Sequence, residues 1–501
     1  MPGPMFSARS EESSLAASDV GLTAVSDLAV AAVEQIRKGM RDRETALPAG
    51  RPGQVDDVVA AVLAGGILPD RGRGGRDWPE LLRGFVAGIV DLTADTVAAN
   101  LQAPVLAIAA VADFAAGVTG QSVDAWESGP SGIALERELI AALWNLLGHS
   151  GGDGVLTPGS TQSNLLALLL AREQSSLGAS FENGIGPTRR RPRILASELA
   201  HLSIQRAAGV LGLGQDAVIP VPIDAENRML VGAAADRIAG LAEDEFPMAL
   251  VGTAGTTDFG SVDPLDGLAD LARSHSAWFH VDAAYGGAAM FSDRARGRFR
   301  GIERADSVSL DLHKLGWQPA PAAAMLLRDP ATAIPLDCNV ACVNPRDDEQ
   351  AGYVGRFART LQTTRRADAL KIVATLRVLG RDGMAELVDA CLDLAVHAAD
   401  RISAHPRLRL VSEPQLSVVV FRYLPVADGE SHVISRINAG IRRRLMRETG
   451  GSVGRVDVAT PSGLPEVCLK FTFVNPYLSQ SAVEDLIDMV VQAGSAEEAQ
   501  G

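Results

Sequence analysis

Hydrophobic positions spaced three and four apart mark amphipathic helices over residues 133–147, 162–172, 202–211, 233–241 and 264–272. Between them lie short apolar or β-branched runs at 193–196, 217–221, 248–252, 278–281, 307–310 and 322–327, too short for helices and bounded by turn residues. Helix and strand alternating in this way predict an α/β domain with a mostly parallel sheet, assigned to residues 96–370. The pattern then changes. Helical stretches at 367–379 and 384–402 lead into runs at 416–423, 434–449 and 467–473, so residues 371–501 read as a small α+β domain. Ahead of the α/β pattern, helical segments at 20–37 and 55–63 are broken by LPAGRPGQ and PDRGRGGRDWP. Residues 1–95 are therefore expected to form an arm, partly disordered or packed on a partner subunit, because so little apolar periodicity cannot make a core of its own.

Composition narrows the class. Of 501 residues, 47% are hydrophobic and 21% charged, the balance of a globular protein, and every long apolar run is cut before it could cross a bilayer. The formal net charge of −15, with both signs mixed along the chain, argues against nucleic acid as a partner. Cys338, Cys342, Cys391 and Cys468 form no close pair with metal-ligand spacing, so neither a metal site nor a disulfide framework is expected. The first residues lack a basic start followed by an apolar centre, and a cytoplasmic location is expected.

Three segments carry chemistry. TPGSTQSNLLALLLAR, ending at Arg172, opens an apolar helix with a Pro-Gly turn and two hydroxyls. The free N–H groups and positive dipole end of such a helix suit a phosphate, with Ser160 and Thr161 adding donors, although both residue types are also ordinary caps. WFHVDAAYGGAA places Asp282 at the end of a strand, on the sheet edge where α/β proteins bind ligands. A buried carboxylate there needs a partner such as a protonated ring nitrogen, although an Asp closing a strand is often a turn residue. SVSLDLHKLGWQP sets His313 and Lys314 directly after the next strand, bringing an amine to the same edge, where it could form an imine with a bound aldehyde. Phosphate grip, ring-nitrogen partner and amine, in that order, are what a chain needs to hold pyridoxal 5′-phosphate (PLP).

Together with SELAHLS, GTAGTTDFGSVDPL, LQTTRRADALK and LKFTFVNP, these segments resemble the group II amino-acid decarboxylases, which act on aromatic amino acids, glutamate, diaminobutyrate or lysine. The resemblance runs from about Ser128 to Pro476, and the segment Asn344 to Arg346 makes it most similar to the lysine and diaminobutyrate branch. It implies the fold-type I PLP-dependent transferase-like architecture and a homodimer with its active site at the subunit boundary. It also implies that Lys314 links the cofactor and Asp282 faces the ring nitrogen. His201 and Ala284 would lie on the two ring faces, with Thr257 near the phenolic oxygen or the Asp282 carboxylate and Ser160, Thr161 and His313 at the phosphate. Arg365 matches a position associated with the substrate carboxylate, and a structural salt bridge is the plain alternative.

Two departures bear on substrate and outcome. Where relatives carry a loop Tyr that protonates the carbon after CO2 leaves, this chain has Cys342, with Tyr353 further along as a candidate substitute. VAANLQAP, containing Asn100, replaces an aromatic and His-bearing stretch, and Trp317 stands where Phe is common, so an altered substrate pocket is expected. The expected reaction is decarboxylation of a small or basic L-amino acid such as lysine, ornithine or diaminobutyrate. Decarboxylation-coupled oxidative deamination, another fold-type I reaction, and a catalytically silent structural partner remain alternatives.

Overall fold

The computed structural model describes residues 14–48, 52–64, 66–68, 70, 77–178, 180–186, 190–337, 340–341, 343–426, 430–460 and 463–500. They fall into two compact units. The first comprises the described residues of Met1–Ala99, Arg422–Leu469 and Ser479–Gly501; the second comprises those of Asn100–Phe421 and Lys470–Leu478.

The N-terminal segment is more structured than an arm. Helices α1 (Asp19–Arg41), α2 (Pro52–Val62) and α3 (Asp77–Gly88) pack together, and α1 begins with the Ser18 hydroxyl accepting from the Gly21 amide at 3.0 Å. Close approach needs glycine: a Cβ at Gly39 would collide with Val86, and one at Gly84 with Val62. Strand β1 (Val97–Ala98) then pairs in parallel with residues 452–453, and the Leu47 amide donates to the Gly450 carbonyl at 3.3 Å. These backbone bonds tie residues before 100 to the C-terminal part of the chain, so the expected separation of 1–95 from 371–501 does not describe the observed units.

The second unit is built on a seven-stranded sheet. Its strands are β2 (Asp153–Thr157), β3 (Arg191–Ser197), β4 (Val218–Val221), β5 (Glu245–Thr253), β6 (Trp278–Asp282), β7 (Ser307–Asp311) and β8 (Ala323–Leu327), in the order β2-β8-β7-β6-β5-β3-β4. Neighbours from β7 through β4 run parallel, whereas β8 is antiparallel to both β7 and β2. Strands β6, β7 and β8 are buried along their whole length, which explains why they read as continuous apolar runs rather than alternating ones. Helices α4 (Ala107–Thr119), α5 (Pro130–Leu146) and α6 (Ser160–Gln174) join the unit, and α6 lies against β6, β7 and β8. The unit extends well past the expected boundary near residue 370, because the helical span Ala369–Ala404 packs on α4 and α5. Gly380 breaks that span with φ +66°, at the gap between the two helices read from the sequence.

A second sheet completes the chain. Strands β9 (Leu408–Leu410), β10 (Val418–Tyr423), β11 (Ser452–Val458) and β12 (Glu466–Thr472) take the order β1-β11-β12-β10-β9. No helix of the described residues is long and apolar enough to cross a membrane.

Candidate active site

Parallel strands deliver their C-terminal ends to one sheet edge, and that edge carries the chemistry. Thr253 closes β5, Asp282 closes β6 and Asp311 closes β7, with His313 and Lys314 immediately beyond. The turn from β2 into α6 brings in Gly159, Ser160 and Thr161, and His201 follows the loop after β3. All of these line one cavity of about 240 Å³. Thr257 and Ala284 line it too, so the eight residues expected around the cofactor meet in a single place.

Asp282 is almost fully buried, and its carboxylate accepts from Asn164 Nδ2 at 2.8 Å and the Ala284 amide at 3.1 Å. Such bonds hold a carboxylate in place without neutralising it. Lys314 Nζ lies 2.9 Å from Asp311 Oδ2. The other oxygen of Asp311 accepts from both the Ser160 amide and the Ser160 hydroxyl at 2.8 Å. Asp311 thus caps α6 and restrains the amine at once, and the Ser160 donors expected to be free for a phosphate are engaged by a carboxylate. His313 donates from Nδ1 to the Ala322 carbonyl at 3.2 Å, and burial lowers its pKa against the opposing pull of Asp311.

Lysine is scarce in this chain, at positions 38, 314, 371 and 470 only. Lys371 is ion-paired with Asp113 at 2.9 Å and Asp368 at 3.0 Å, Lys470 donates to the Thr257 carbonyl at 3.0 Å, and Lys38 lies on α1. Lys314 alone of the four lines the cavity.

Beneath Asp282, His280 is fully buried, and burial depresses its pKa to about 4 against the raising effect of Asp282. An unfolded chain would protonate this imidazole near 6.5, so between 6.5 and about 4 the unfolded state binds more protons than the folded one. Stability should therefore fall as pH drops through that window. Thermal melts from pH 7 to 4 should show the slope flattened in His280→Gln, which cannot charge; an unchanged slope would contradict this assignment.

Other expected residues lie elsewhere. Arg365 lines a neighbouring cavity of about 170 Å³, with Nη1 2.9 Å from Glu136 Oε2. A fully buried glutamate on α5 needs a counter-charge, and Arg365 supplies it. Trp317 does not reshape an entrance: it is buried, with φ +52° and its indole N–H donating to the Val474 carbonyl at 2.8 Å. Asn100 is exposed and is not among the lining residues. Tyr353 is half-exposed and packs edge-on against Trp126, with ring centroids 5.0 Å apart. Cys342 lies outside the described residues. A larger cavity of about 850 Å³ opens at the opposite sheet edge, but its arginines are engaged, Arg304 and Arg273 with Asp270 and Arg328 with Asp306.

The sequence reading missed Asp311, Thr253 and Asn164. Asp311 lies inside the quoted DLHK, and Asn164 is a lone amide entering the apolar run LLALLL. A polar group buried on a helix must find partners, which was the available signal.

The donor set fits PLP. It offers an amine for the aldehyde, a carboxylate for the ring nitrogen and, for the phosphate, the Thr161 hydroxyl and His313 beside a helix start whose Ser160 donors are held by Asp311. Thr253 Oγ1 is buried beside them without a hydrogen-bond partner among the described residues. Gly255, also in the lining, sits at φ +106° with its backbone packed so closely on residues 285–286 that a Cβ there would approach the Gly286 nitrogen to 2.8 Å.

Comparison with known proteins agrees. Residues 83–424 match the family model described as the pyridoxal-dependent decarboxylase conserved domain. The L-2,4-diaminobutyrate decarboxylase of Rhizobium meliloti (strain 1021) is 38% identical over 397 residues, covering 78% of this chain and 76% of that one. That of Acinetobacter baumannii is 32% identical over 406 residues, covering 78% of each. Among solved structures, the glutamate decarboxylase domain of diaminobutyrate-pyruvate transaminase and L-2,4-diaminobutyrate decarboxylase from Vibrio parahaemolyticus superposes with a TM-score of 0.83 at 26% identity, over 97% of this chain and 98% of that one. Mouse CSAD gives 0.85 at 25% identity, over 94% and 99%. The chain belongs to the pyridoxal-dependent decarboxylase family and is a PLP-dependent amino-acid decarboxylase.

Proposed function

We propose that the substrate is a small basic L-amino acid of the 2,4-diaminobutyrate type, converted to the corresponding diamine. The observation that carries this is the 38% identity, over 78% of the chain, to an L-2,4-diaminobutyrate decarboxylase. PLP supplies an electron sink for the pair left behind when CO2 departs. Lys314 is assigned the covalent link and Asp282 the counter-charge to the ring nitrogen. His201 and Ala284 are assigned the two ring faces, Thr257 the phenolic oxygen, and Ser160, Thr161 and His313 the phosphate. Their meeting around one cavity supports the set. Among the titratable side chains lining the cavity, Lys314 and His201 are assigned the holding and moving of a proton in the reaction. With Arg365 bound to Glu136, its part is to fix α5 against the strand before the phosphate turn, where it also donates to the Leu156 carbonyl at 3.3 Å.

Incubating purified, PLP-loaded protein with a panel of L-amino acids, and reading CO2, amine, aldehyde and peroxide together, tests the substrate. The expected product from 2,4-diaminobutyrate is 1,3-diaminopropane without peroxide. Turnover confined to acidic or aromatic amino acids, or keto-acid formation without CO2, would overturn the reading.

The same reading includes a homodimer working in the cytoplasm. On α1 the small residues Gly21 and Ala24 are buried, while Val30, Val33 and Ile36 are exposed, and on α3 Leu81 and Phe85 are exposed. Covering the exposed half of each such large side chain is worth roughly 1 kcal/mol, and a second copy is the partner assigned. Cys391 and Cys468 are buried free thiols, as suits a reducing compartment. Sedimentation should give a dimer that Val33→Asp with Ile36→Asp shifts toward monomer; a wild-type monomer at micromolar concentration would contradict this.

A further inference from the structure

Asp282 and His201 are joined by a hydrogen-bond chain that is buried as far as Ser203 and ends at the exposed His201. The Ser203 amide can only donate, and it does so to His201 Nδ1 at 3.3 Å, so that ring nitrogen carries a lone pair. The Ser203 hydroxyl, 2.8 Å from the same nitrogen, therefore donates to it as well. Its oxygen is left to accept from Asn164 Nδ2 at 2.9 Å. The other N–H of that amide goes to Asp282 Oδ2 at 2.8 Å, where a flipped amide would set oxygen against oxygen.

Asn164 Oδ1 consequently faces the other way, accepting from the Ser309 hydroxyl at 2.7 Å and from His280 Nε2 at 2.9 Å. His280 Nδ1 lies 2.8 Å from the Ser307 hydroxyl and 3.2 Å from the Ser307 carbonyl, and the hydroxyl oxygen accepts the Trp278 indole N–H at 2.8 Å. Asn164, His280, Ser307 and Ser309 have no exposure and Ser203 has 1%, so water does not reach the links among them, whereas His201 itself is exposed.

We infer that Asn164 is the positioning residue of this site. One carboxamide holds the Asp282 carboxylate directly and, through the Ser203 hydroxyl, orients the His201 ring, whose Nδ1 lone pair faces the Ser203 amide and whose Nε2–H serves the cavity. Both N–H groups sit on one planar amide, so the ring-nitrogen partner and the ring-face histidine are kept in register by a single side chain. This deepens the roles proposed above for Asp282 and His201 and rests on them.

The test uses the full-length protein and two variants that cut the chain at different points. Asn164→Ala should weaken PLP binding, followed by absorbance titration, about tenfold or more, since it removes a hydrogen bond to a buried charge. Ser203→Ala cuts only the His201 branch; PLP affinity should stay within about twofold of wild type while kcat falls and its pH profile shifts. In histidine-selective 15N spectra, both variants should shift the His201 Nδ1 signal, because one removes the Ser203 hydroxyl bond to that nitrogen and the other frees the hydroxyl from Asn164.

Asn164→Ala with PLP affinity within about twofold of wild type would overturn the inference, as would Ser203→Ala with an unmoved His201 signal. If Asn164→Ala does not fold, Ser203→Ala decides alone. Borohydride reduction of the wild type separates the two levels: cofactor bound without a link to Lys314 removes the underlying reading and this inference with it, whereas a wild-type link beside unaffected variants removes only the inference.

Discussion

Replacing Lys314 with alanine is expected to lower turnover on the order of 10³-fold or more, because it removes both the covalent attachment and an amine able to move a proton. No other lysine can stand in. Lys371 is fully buried between two aspartates, Lys470 is held by the Thr257 carbonyl and Asp258, and Lys38, on α1, is not among the residues lining the cavity. The measurement is steady-state release of CO2 by purified variant and wild type at saturating PLP. A Lys314→Ala protein retaining near-full turnover would remove the mechanism.

Asp282→Ala is expected to cost about 10²–10³-fold in kcat, the scale found when one preorganised electrostatic partner is removed from an active site. Asp282→Asn should lose nearly as much, since it keeps the shape and loses the charge. PLP affinity should fall in both. The result would be informative in detail: loss of affinity with kcat intact would make Asp282 a binding group only, contrary to its assigned role as counter-charge to the electron sink.

Much of this was legible in the chain. The helix-strand alternation from 133 to 327 was readable because parallel strands buried on both faces leave short apolar runs between amphipathic helices. Strand β2 escaped notice because DGVLT is short and two of its five residues, Asp153 and Gly154, are poor strand formers. Helix α4 escaped because AIAAVADFAAGVT is apolar all round and shows little periodicity. The true grouping of the N-terminal segment was not readable either, since it depends on a two-residue strand pairing more than three hundred positions away.

At the site, the sequence pointed to residues whose type announces chemistry, Lys314, Asp282 and His201. It could not show that Ser160 spends its donors on Asp311, that Arg365 answers a buried Glu136, or that Trp317 turns inward to the Val474 carbonyl. Each of these is a contact between residues more than 150 positions apart, invisible to local pattern.

The account turns on which amine takes the cofactor. Borohydride reduction of the PLP-loaded protein, followed by proteolysis and mass mapping, is expected to place the whole adduct on the peptide carrying Lys314. An adduct on the peptides of Lys371 or Lys470, or no adduct at all from protein that has bound PLP, would contradict it.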